Sequence, residues 1–183
     1  MQQTIINNIP IAIQPLKPDM FEALVTYYSC LSAETKNRFA PHAFTMEALE
    51  NLFVKNNIYT AFIGSNMQDN SIIAYTIIKI GYLPDERERL NQWGLKVDIE
   101  TDATLAPSVS DIWQSVGIGQ LLFNYTINHL QNTSISRLLL WGGVQCLNEK
   151  AVKFYLKNNF KIAGEFDYNG CNYDMYKNLR TNY

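Results

Sequence analysis

The sequence predicts an α/β protein with a mixed β-sheet, because segments typical of strands and helices alternate along the whole chain. The predicted order is β-α-α-β-β-β-α-β-α-β-β. The continuous apolar run at residues 137–141 is typical of a strand covered on both faces, as in parallel sheets. Asn169-Gly170, between two alternating segments, is a strong signal for an antiparallel hairpin. A length of 183 residues predicts a single domain spanning residues 1–183.

The first part of the chain predicts one strand, two helical regions and a hairpin. Apolar residues alternate from position 9 to 13, which predicts the first strand. Residues 17–31 have helical spacing, with Pro18 suited to the first turn. A second helical region, residues 32–53, is interrupted at Pro41, and Thr45 gives a partial capping signature for its second part. The β-rich runs 59–64 and 71–83 are separated by a polar turn and predict an antiparallel pair.

The remaining elements surround the most charged part of the chain. Residues 84–101 are predicted to form a surface excursion, with a short helical piece after Pro84. A strand at 103–109 leads into a glycine-containing turn and a helix. A further helix at 148–159 precedes the two strands of the C-terminal hairpin.

Composition excludes several classes of partner. The net charge is −2 and no run of Lys or Arg stands out, so no nucleic-acid partner is expected. The three cysteines, Cys30, Cys146 and Cys171, have no metal-ligand spacing and imply no disulfide framework, which favours a reduced compartment. No secretory signal and no apolar stretch of ~18 residues is present. We therefore expect a cytoplasmic protein without a membrane partner.

Gly117 and Gly119 lie where a helix is about to begin. The first turn of a helix has main-chain N–H groups without intrahelical partners and a partial positive charge, which together favour phosphate. Glycine removes the Cβ and lets an anion approach the main chain. A dinucleotide fingerprint would need a third glycine where Leu122 stands, and a Walker A loop would need lysine where Gln120 stands. The glycines equally suit an ordinary strand-to-helix turn.

Two motifs resemble one family. Residues 114–119 (QSVGIG) match the pattern Gln/Arg-x-x-Gly-x-Gly/Ala, and the segment TLAPSVSDIWQSVGIGQLLF resembles the acetyl-coenzyme A binding motif of the GCN5-related N-acetyltransferases. The segment NEKAVKFYLKNNFKIAGEF looks like the second signature of this family, Asn-x-x-Ala-x-x-Phe/Leu-Tyr-x-x-x-Gly-Phe. The matching residues are Asn148, Ala151, Phe154, Tyr155 and Phe160. Asn159 stands where the family has glycine, a mild departure because Asn tolerates a left-handed helix end.

The resemblance implies a fold and a reaction. The fold is a central mixed, mostly antiparallel sheet of six to seven strands flanked by about four helices, with a parallel pair splayed at the acetyl-coenzyme A site. The reaction is transfer of an acetyl group from acetyl-coenzyme A to a primary amine by direct attack through a tetrahedral intermediate. The implied acceptor is a small-molecule or peptide amine, and no metal is required. The alternative is an acyl-coenzyme A sensor without catalysis.

The resemblance also assigns residues to the cofactor. Main-chain amides of the turn would hold the pyrophosphate, the strand end would pair with the pantetheine arm and offer an oxyanion donor, and Asn148 would hydrogen-bond the same arm. The residues of the turn and strand end are Val109, Asp111, Gln114, Val116, Gly117, Ile118, Gly119 and Gln120.

The resemblance assigns the catalytic acid to one residue but leaves the catalytic base open. Tyr155 occupies the family position that protonates the departing thiolate, and a tyrosine is protonated at neutral pH. The base stays open: Glu100 and Asp102 would share one face if the strand at 103–109 extends back to them, yet each also suits a solvated rim. His42 is another candidate, although a structural histidine is equally consistent with its position. The excursion at 84–101 is a candidate cover for the acceptor site or a homodimer contact.

Overall fold

The computed structural model describes residues 1–180, which contain nine β-strands and six α-helices. Short 3-10 turns at Pro18–Met20, Pro84–Glu86 and Asp111–Trp113 precede three of the helices. In chain order the elements are β1 (Gln2–Ile6), β2 (Ile9–Pro15), α1 (Phe21–Ser29), α2 (Ala33–Arg38), α3 (Met46–Phe53), β3 (Tyr59–Asn66), β4 (Ile72–Ile80), α4 (Arg87–Gln92), β5 (Asp102–Val109), α5 (Ile118–Leu130), β6 (Arg137–Leu140), β7 (Val144–Gln145), α6 (Glu149–Lys157), β8 (Lys161–Asp167) and β9 (Cys171–Asn178).

The strands form one mixed sheet in the order β1-β2-β3-β4-β5-β6-β9-β7, with β8 paired to β9. β5 and β6 are parallel, whereas β1–β2, β2–β3, β6–β9, β7–β9 and β8–β9 are antiparallel. The α/β fold class with a parallel pair is therefore confirmed. The described chain adds two short strands, β1 and β7, to the number expected, and its helical regions divide into six helices.

β1 is an addition that the sequence analysis did not predict. It pairs with β2 from Gln2↔Ile13 to Ile6↔Ile9, so only Asn7 and Asn8 form the loop. Both residues have positive φ, 50° and 64°. Two left-handed central residues are the geometry of a type I′ turn, which asparagine adopts more readily than most residues.

Backbone contacts divide the chain into two compact units, which are described separately. The first unit comprises Met1–Ile78 and Ala106–His129; the second comprises Lys79–Leu105 and the chain from Leu130 onward. The single domain predicted for residues 1–183 stays a prediction.

The first unit is built on β2, β3 and α1. Its fully buried side chains include Ile11, Ile13, Phe21, Leu24 and Phe62. The helical region 32–53 breaks between Arg38 and Met46, as Pro41 predicts, and the Thr45 hydroxyl accepts a 3.2 Å hydrogen bond from the Ala48 N–H at the start of α3. These contacts confirm the interruption and the predicted cap.

In the second unit, residues 84–101 differ from the predicted surface excursion. The helical piece after Pro84 is present, but the segment is not confined to the surface: Leu90 and Leu95 form a buried cluster with Leu139 of β6. Trp93 packs directly on the main chain of β8, since a Cβ on Gly164 would lie 2.2 Å from the indole ring. The many charged residues of this segment led to the surface prediction, although its apolar residues Leu90 and Leu95 are buried.

The cysteine prediction was wrong. Cys146 and Cys171 form a disulfide with their Cα atoms 5.5 Å apart, and Cys30 is free and exposed. The partners are 25 residues apart in sequence and meet because β7 pairs with β9, where the Cys146 N–H donates to the Cys171 carbonyl at 2.9 Å. The cysteine count therefore no longer supports a reduced compartment. Among the described helices none has the length and apolar character to cross a membrane.

Candidate active site

The glycine turn of the first unit joins β5 to α5. After Val109, the Ser110 N–H donates to the Ile73 carbonyl at 2.9 Å, and a 3-10 turn follows. Gly117 has φ 99°, and its carbonyl accepts from the Leu121 N–H at 3.1 Å, the first hydrogen bond of α5. The N–H groups of Ile118 and Gly119 precede that bond and therefore lie in the first turn, where helices bind anions.

The surface of this turn is open. Gly117 is exposed, and a Cβ at its position would meet no described atom within 4 Å. Ile118 is fully buried and fixes the start of α5 to the core. The first helical amides and the missing side chain thus fit the diphosphate of coenzyme A, because an anion can approach the main chain without displacing an apolar group.

Gln114 and Asp111 act inside the turn through their side chains. The Gln114 carboxamide donates to the Val109 carbonyl at 3.2 Å and braces the end of β5. The Asp111 carboxylate accepts from the Ser32 N–H, the Ser32 hydroxyl and the Thr35 hydroxyl at 2.6–2.9 Å, at the start of α2. These bonds, led by that from Thr35, lower the pKa of Asp111 to about 2. Only main-chain groups of Asp111 are therefore left for the predicted cofactor contact.

Asn148 lies in the second unit, at the N-terminus of α6. Its side-chain oxygen caps the helix by accepting from the Ala151 N–H at 3.2 Å. The carboxamide nitrogen would therefore be the donor to a pantetheine arm. At the other end of α6, Asn159 has φ 63°, which confirms that asparagine takes the left-handed position where the family motif has glycine.

Tyr155 is on α6 and is almost buried, with 8% of its surface exposed. Its ring makes edge contacts with Phe154 and Phe160 at centroid distances of 5.5 and 5.2 Å. Burial raises the pKa of the Tyr155 hydroxyl above its ordinary value. The hydroxyl therefore keeps its proton at neutral pH and can donate a hydrogen bond to a developing negative charge.

Two of the three suggested bases, Asp102 and His42, are engaged in hydrogen bonds within the chain, and the third, Glu100, is exposed. Asp102 is 1% exposed and holds Arg137 through two bonds of 2.8 and 2.6 Å. β5 begins at Asp102 and does not extend back to Glu100, so the condition for a shared strand face is not met, and Glu100 is exposed in the preceding turn. His42 donates through Nδ1 to the Ala43 carbonyl and accepts through Nε2 from the Tyr75 hydroxyl, with burial lowering the pKa of the imidazole.

A buried carboxylate cluster of the second unit was missed by the sequence analysis. Glu86 is 5% exposed; one oxygen accepts from the Gly142 N–H at 2.9 Å and from Arg89 at 3.1 Å. Arg89 also contacts Asp174 through bonds of 2.8 and 3.1 Å, and Trp93 donates to Asp174 at 2.9 Å. Burial, opposed by the Arg89 charge, raises the pKa of Glu86 to about 7.

The only sequence signal for this cluster is the i,i+3 spacing of Glu86 and Arg89, which is equally common on solvated helices. Sequence reasoning assigned the whole segment to the surface and had no reason to separate Glu86 from Glu88.

The second unit also brings together Cys146, Cys171 and Glu165, with possible ligand atoms within 4.8 Å of one another. The two sulfur atoms are bonded to each other in the disulfide. In this state the thiolates that a metal would need are not formed.

Comparisons with known proteins agree with this architecture. No protein-family model matches the chain, and no curated protein sequence matches it. The GNAT domain of an S. lividans protein, PAT, superposes with a TM-score of 0.74 at 14% identity, over 97% of this chain and 96% of that one. An acetyltransferase of the GNAT family from Streptococcus pneumoniae has a TM-score of 0.70 at 23% identity, over 92% and 98% of the two chains.

A third similar structure is a chimera of the spermidine N-acetyltransferase SpeG from Vibrio cholerae with hSSAT. Its TM-score is 0.68 at 17% identity, and the match covers 92% of this chain and 95% of the chimera. Near-complete coverage in both directions means that the likeness extends over the whole architecture rather than one motif. The chain therefore has the fold of the GCN5-related N-acetyltransferases, as its two sequence motifs predict.

Proposed function

We propose that this protein transfers an acetyl group from acetyl-coenzyme A to a primary amine of a small molecule or peptide. The observation that carries the proposal is the exposed turn at Gly117, where helical amides are open to an anion at the end of β5. This turn directly follows β5, one of the two strands of the parallel pair. Bound acetyl-coenzyme A would supply the thioester that an amine attacks.

The end of β5 suits an extended ligand. The ladder between β5 and β6 stops at Leu105↔Leu140, whereas β5 continues to Val109. Pro107 lies in this last part of β5, and proline in a sheet is found at edges, where its missing N–H is not needed. The arm of coenzyme A would pair with the main chain there in the manner of an added strand.

As the family resemblance implies, Asn148 and Tyr155 would orient the arm and assist the leaving group. The Asn148 carboxamide nitrogen would donate to the pantetheine, since the oxygen is engaged in the helix cap. The Tyr155 hydroxyl would donate to the sulfur as negative charge develops on it. The aromatic contacts of Tyr155 hold its ring and reduce the entropy lost in orienting the hydroxyl.

Gly117→Val is expected to weaken acetyl-coenzyme A binding about 100-fold in titration calorimetry. A β-branched side chain resists φ 99° and fills the space in front of the first helical amides. Loss of two hydrogen bonds to a charged group at ~1.5 kcal/mol each accounts for that factor. Gly170→Val is the matched control, because Gly170 has φ 108° with open space around it but lies in the β8–β9 hairpin. Equal affinities in the two variants would contradict the loop assignment.

Tyr155→Phe is expected to lower kcat about 100-fold with little change in acetyl-coenzyme A affinity, because the ring and its packing remain while the proton donor is lost. Release of free thiol measures turnover, and calorimetry measures binding. Phe154→Tyr, which adds a hydroxyl on the same helix, is the control. An unchanged kcat would mean that Tyr155 is not the proton donor to the departing thiolate.

The same assay separates catalysis from sensing. Tight acetyl-coenzyme A binding without thiol release in the presence of butylamine, spermidine or a lysine-containing peptide would favour the sensor. Turnover with any one of these amines would establish acetyl transfer.

A further inference from the structure

We infer that Glu86 is the carboxylate that binds the acceptor as an alkylammonium ion and takes its proton. The inference rests on the proposed acetyl transfer, whose acceptor must become a neutral amine before it attacks. It assigns the base, which the sequence left open, to a residue outside β5, and it makes the acceptor a cation when it binds.

One carboxylate oxygen of Glu86 is an unused hydrogen-bond acceptor. Both donors that reach Glu86, the Gly142 N–H and Arg89, bind the same oxygen, Oε1. Within residues 1–180 the second oxygen, Oε2, is buried and has no hydrogen-bond partner. Because buried polar atoms nearly always find a partner, an unsatisfied carboxylate oxygen marks a place for a donor from outside the chain. An ammonium group supplies such a donor.

The Glu86 carboxylate lies beside the main chain that follows β6. Gly142, which binds Glu86, follows β6 directly, one residue after the Trp141 N–H donates to the Leu105 carbonyl at 3.0 Å. That bond follows the last residue pair of the parallel ladder. A Cβ on Gly142 would meet no atom of the described chain within 4 Å, so the space beside this main-chain segment is open. Glu86 is therefore held at the end where β5 and β6 cease to pair.

The carboxylates in the Glu86 cluster outnumber the cations that are hydrogen-bonded to them. Two buried carboxylates, Glu86 and Asp174, share one guanidinium, that of Arg89, which leaves the hydrogen-bonded cluster with one negative charge when both are ionised. Arg89 is fixed by Asp174 and by the face of Phe166, 3.8 Å from its guanidinium carbon, so it cannot turn wholly to Glu86. Lys79, whose charge also acts on Glu86, donates hydrogen bonds to the Tyr82 and Ile80 carbonyls and does not bind Oε2. An alkylammonium ion would supply the cation that pairs with Oε2 directly.

The proposed step conserves protons and charge. The acceptor ammonium gives one proton to Oε2 of Glu86, which becomes a neutral carboxylic acid, and the amine nitrogen forms a bond to the thioester carbonyl carbon. The carbon–sulfur bond breaks, and the second proton lost by nitrogen balances the protonation of the thiolate. Glu86 then returns its proton to solvent. The products are the amide, the thiol and one proton.

The kinetic test compares Glu86→Gln with Glu88→Gln in the full-length protein. Glutamine keeps an oxygen for Gly142 and Arg89 but cannot accept a proton, and Glu88 is an exposed residue of α4, two positions further along the chain. With n-butylamine or spermidine as acceptor, we expect kcat/KM at pH 7 to fall at least about 100-fold in Glu86→Gln and to stay unchanged in Glu88→Gln. The acidic limb of the wild-type pH profile, with its midpoint near the pKa of Glu86, about 7, should disappear. An unchanged acidic limb in Glu86→Gln would overturn the inference.

A second measurement does not depend on activity. In protein labelled with ¹³C at the glutamate carboxyl carbon, the Glu86 signal is the one missing from Glu86→Gln. With coenzyme A present, excess n-butylammonium should lower the pKa of Glu86 by about 1–3, and uncharged n-butanol should not. Equal titrations in the two additives would overturn the ammonium site even if acetyl transfer is observed. A shifted titration without turnover of any amine would keep the site and reject the proposed acetyl transfer.

Discussion

Arg137→Met is expected to lower the free energy of unfolding by about 3–5 kcal/mol at neutral pH, because it leaves a buried carboxylate without its cation. Asp102 is 1% exposed, and both of its oxygens bind Arg137. Arg137 also donates to the Lys96 carbonyl at 2.7 Å, which ties the segment before β5 to β6. Methionine has a similar length and flexibility, so the loss measures the charge and hydrogen bonds more than the volume.

Urea unfolding of Arg137→Met, with Arg87→Met as the control, tests this expectation. Arg87 is exposed, and its replacement should change the free energy of unfolding by no more than about 0.5 kcal/mol. The double variant Asp102→Asn with Arg137→Met should regain most of the loss, since the unpaired charge is removed together with its partner. If Arg137→Met lowers the free energy of unfolding by less than about 1 kcal/mol, the buried Asp102 carboxylate does not need Arg137 to offset the cost of its burial.

This ion pair gives Asp102, one of the three residues suggested as the base, a structural partner. A carboxylate that accepts from Arg137 at both oxygens, and from the Asp98 N–H at 2.8 Å, has its lone pairs directed at fixed donors. Sequence spacing could place Asp102 beside a strand but could not show that Arg137, on the parallel neighbour, lies directly opposite it in the register. Long-range pairing of this kind is invisible in a local pattern.

Local signals predicted what local physics determines. The Gly117 turn, the Thr45 cap and the Asn169-Gly170 hairpin each depend on a few neighbouring residues with special main-chain geometry, and the structure contains all three. Asn7 and Asn8 carry a similar signal, and β1 was missed because its own residues do not alternate clearly in polarity. Their positive φ values show that two consecutive asparagines can form the same type I′ hairpin turn as Asn-Gly.

Burial of polar residues was the property that the sequence could not supply. Glu86 is buried and Glu88 is exposed, although both lie in the same charged run. Tertiary packing distinguishes the two residues. Leu90 of α4 packs on Leu139, and Glu86 then faces the Gly142 N–H. The disulfide follows the same rule, because only the pairing of β7 with β9 brings Cys146 and Cys171 together.

Glu86→Gln is expected to stabilise the protein above pH 7, in contrast to its predicted loss of turnover. The folded state raises the pKa of Glu86 from 4.5 to about 7, chiefly through burial, so the folded protein binds a proton between these values that the unfolded chain has released. Wild-type stability therefore falls as the pH rises from about 4.5 to about 7 and stays lowered above that range. The penalty is roughly 3 kcal/mol, at 1.36 kcal/mol for each pH unit between the two pKa values.

Glutamine carries no charge at any pH and keeps an oxygen for the Gly142 N–H and Arg89. The free energies of unfolding of Glu86→Gln and wild type should therefore converge near pH 4 and differ by roughly 2–3 kcal/mol at pH 8, with the variant more stable. Urea unfolding at several pH values measures this difference, and Glu88→Gln should show none of it. A variant that is less stable than wild type at pH 8 would mean that Arg89 and the Gly142 N–H hold Glu86 ionised for structural reasons. The expected opposite result, greater stability with lost turnover, is what a buried charge kept for binding an ammonium ion would produce.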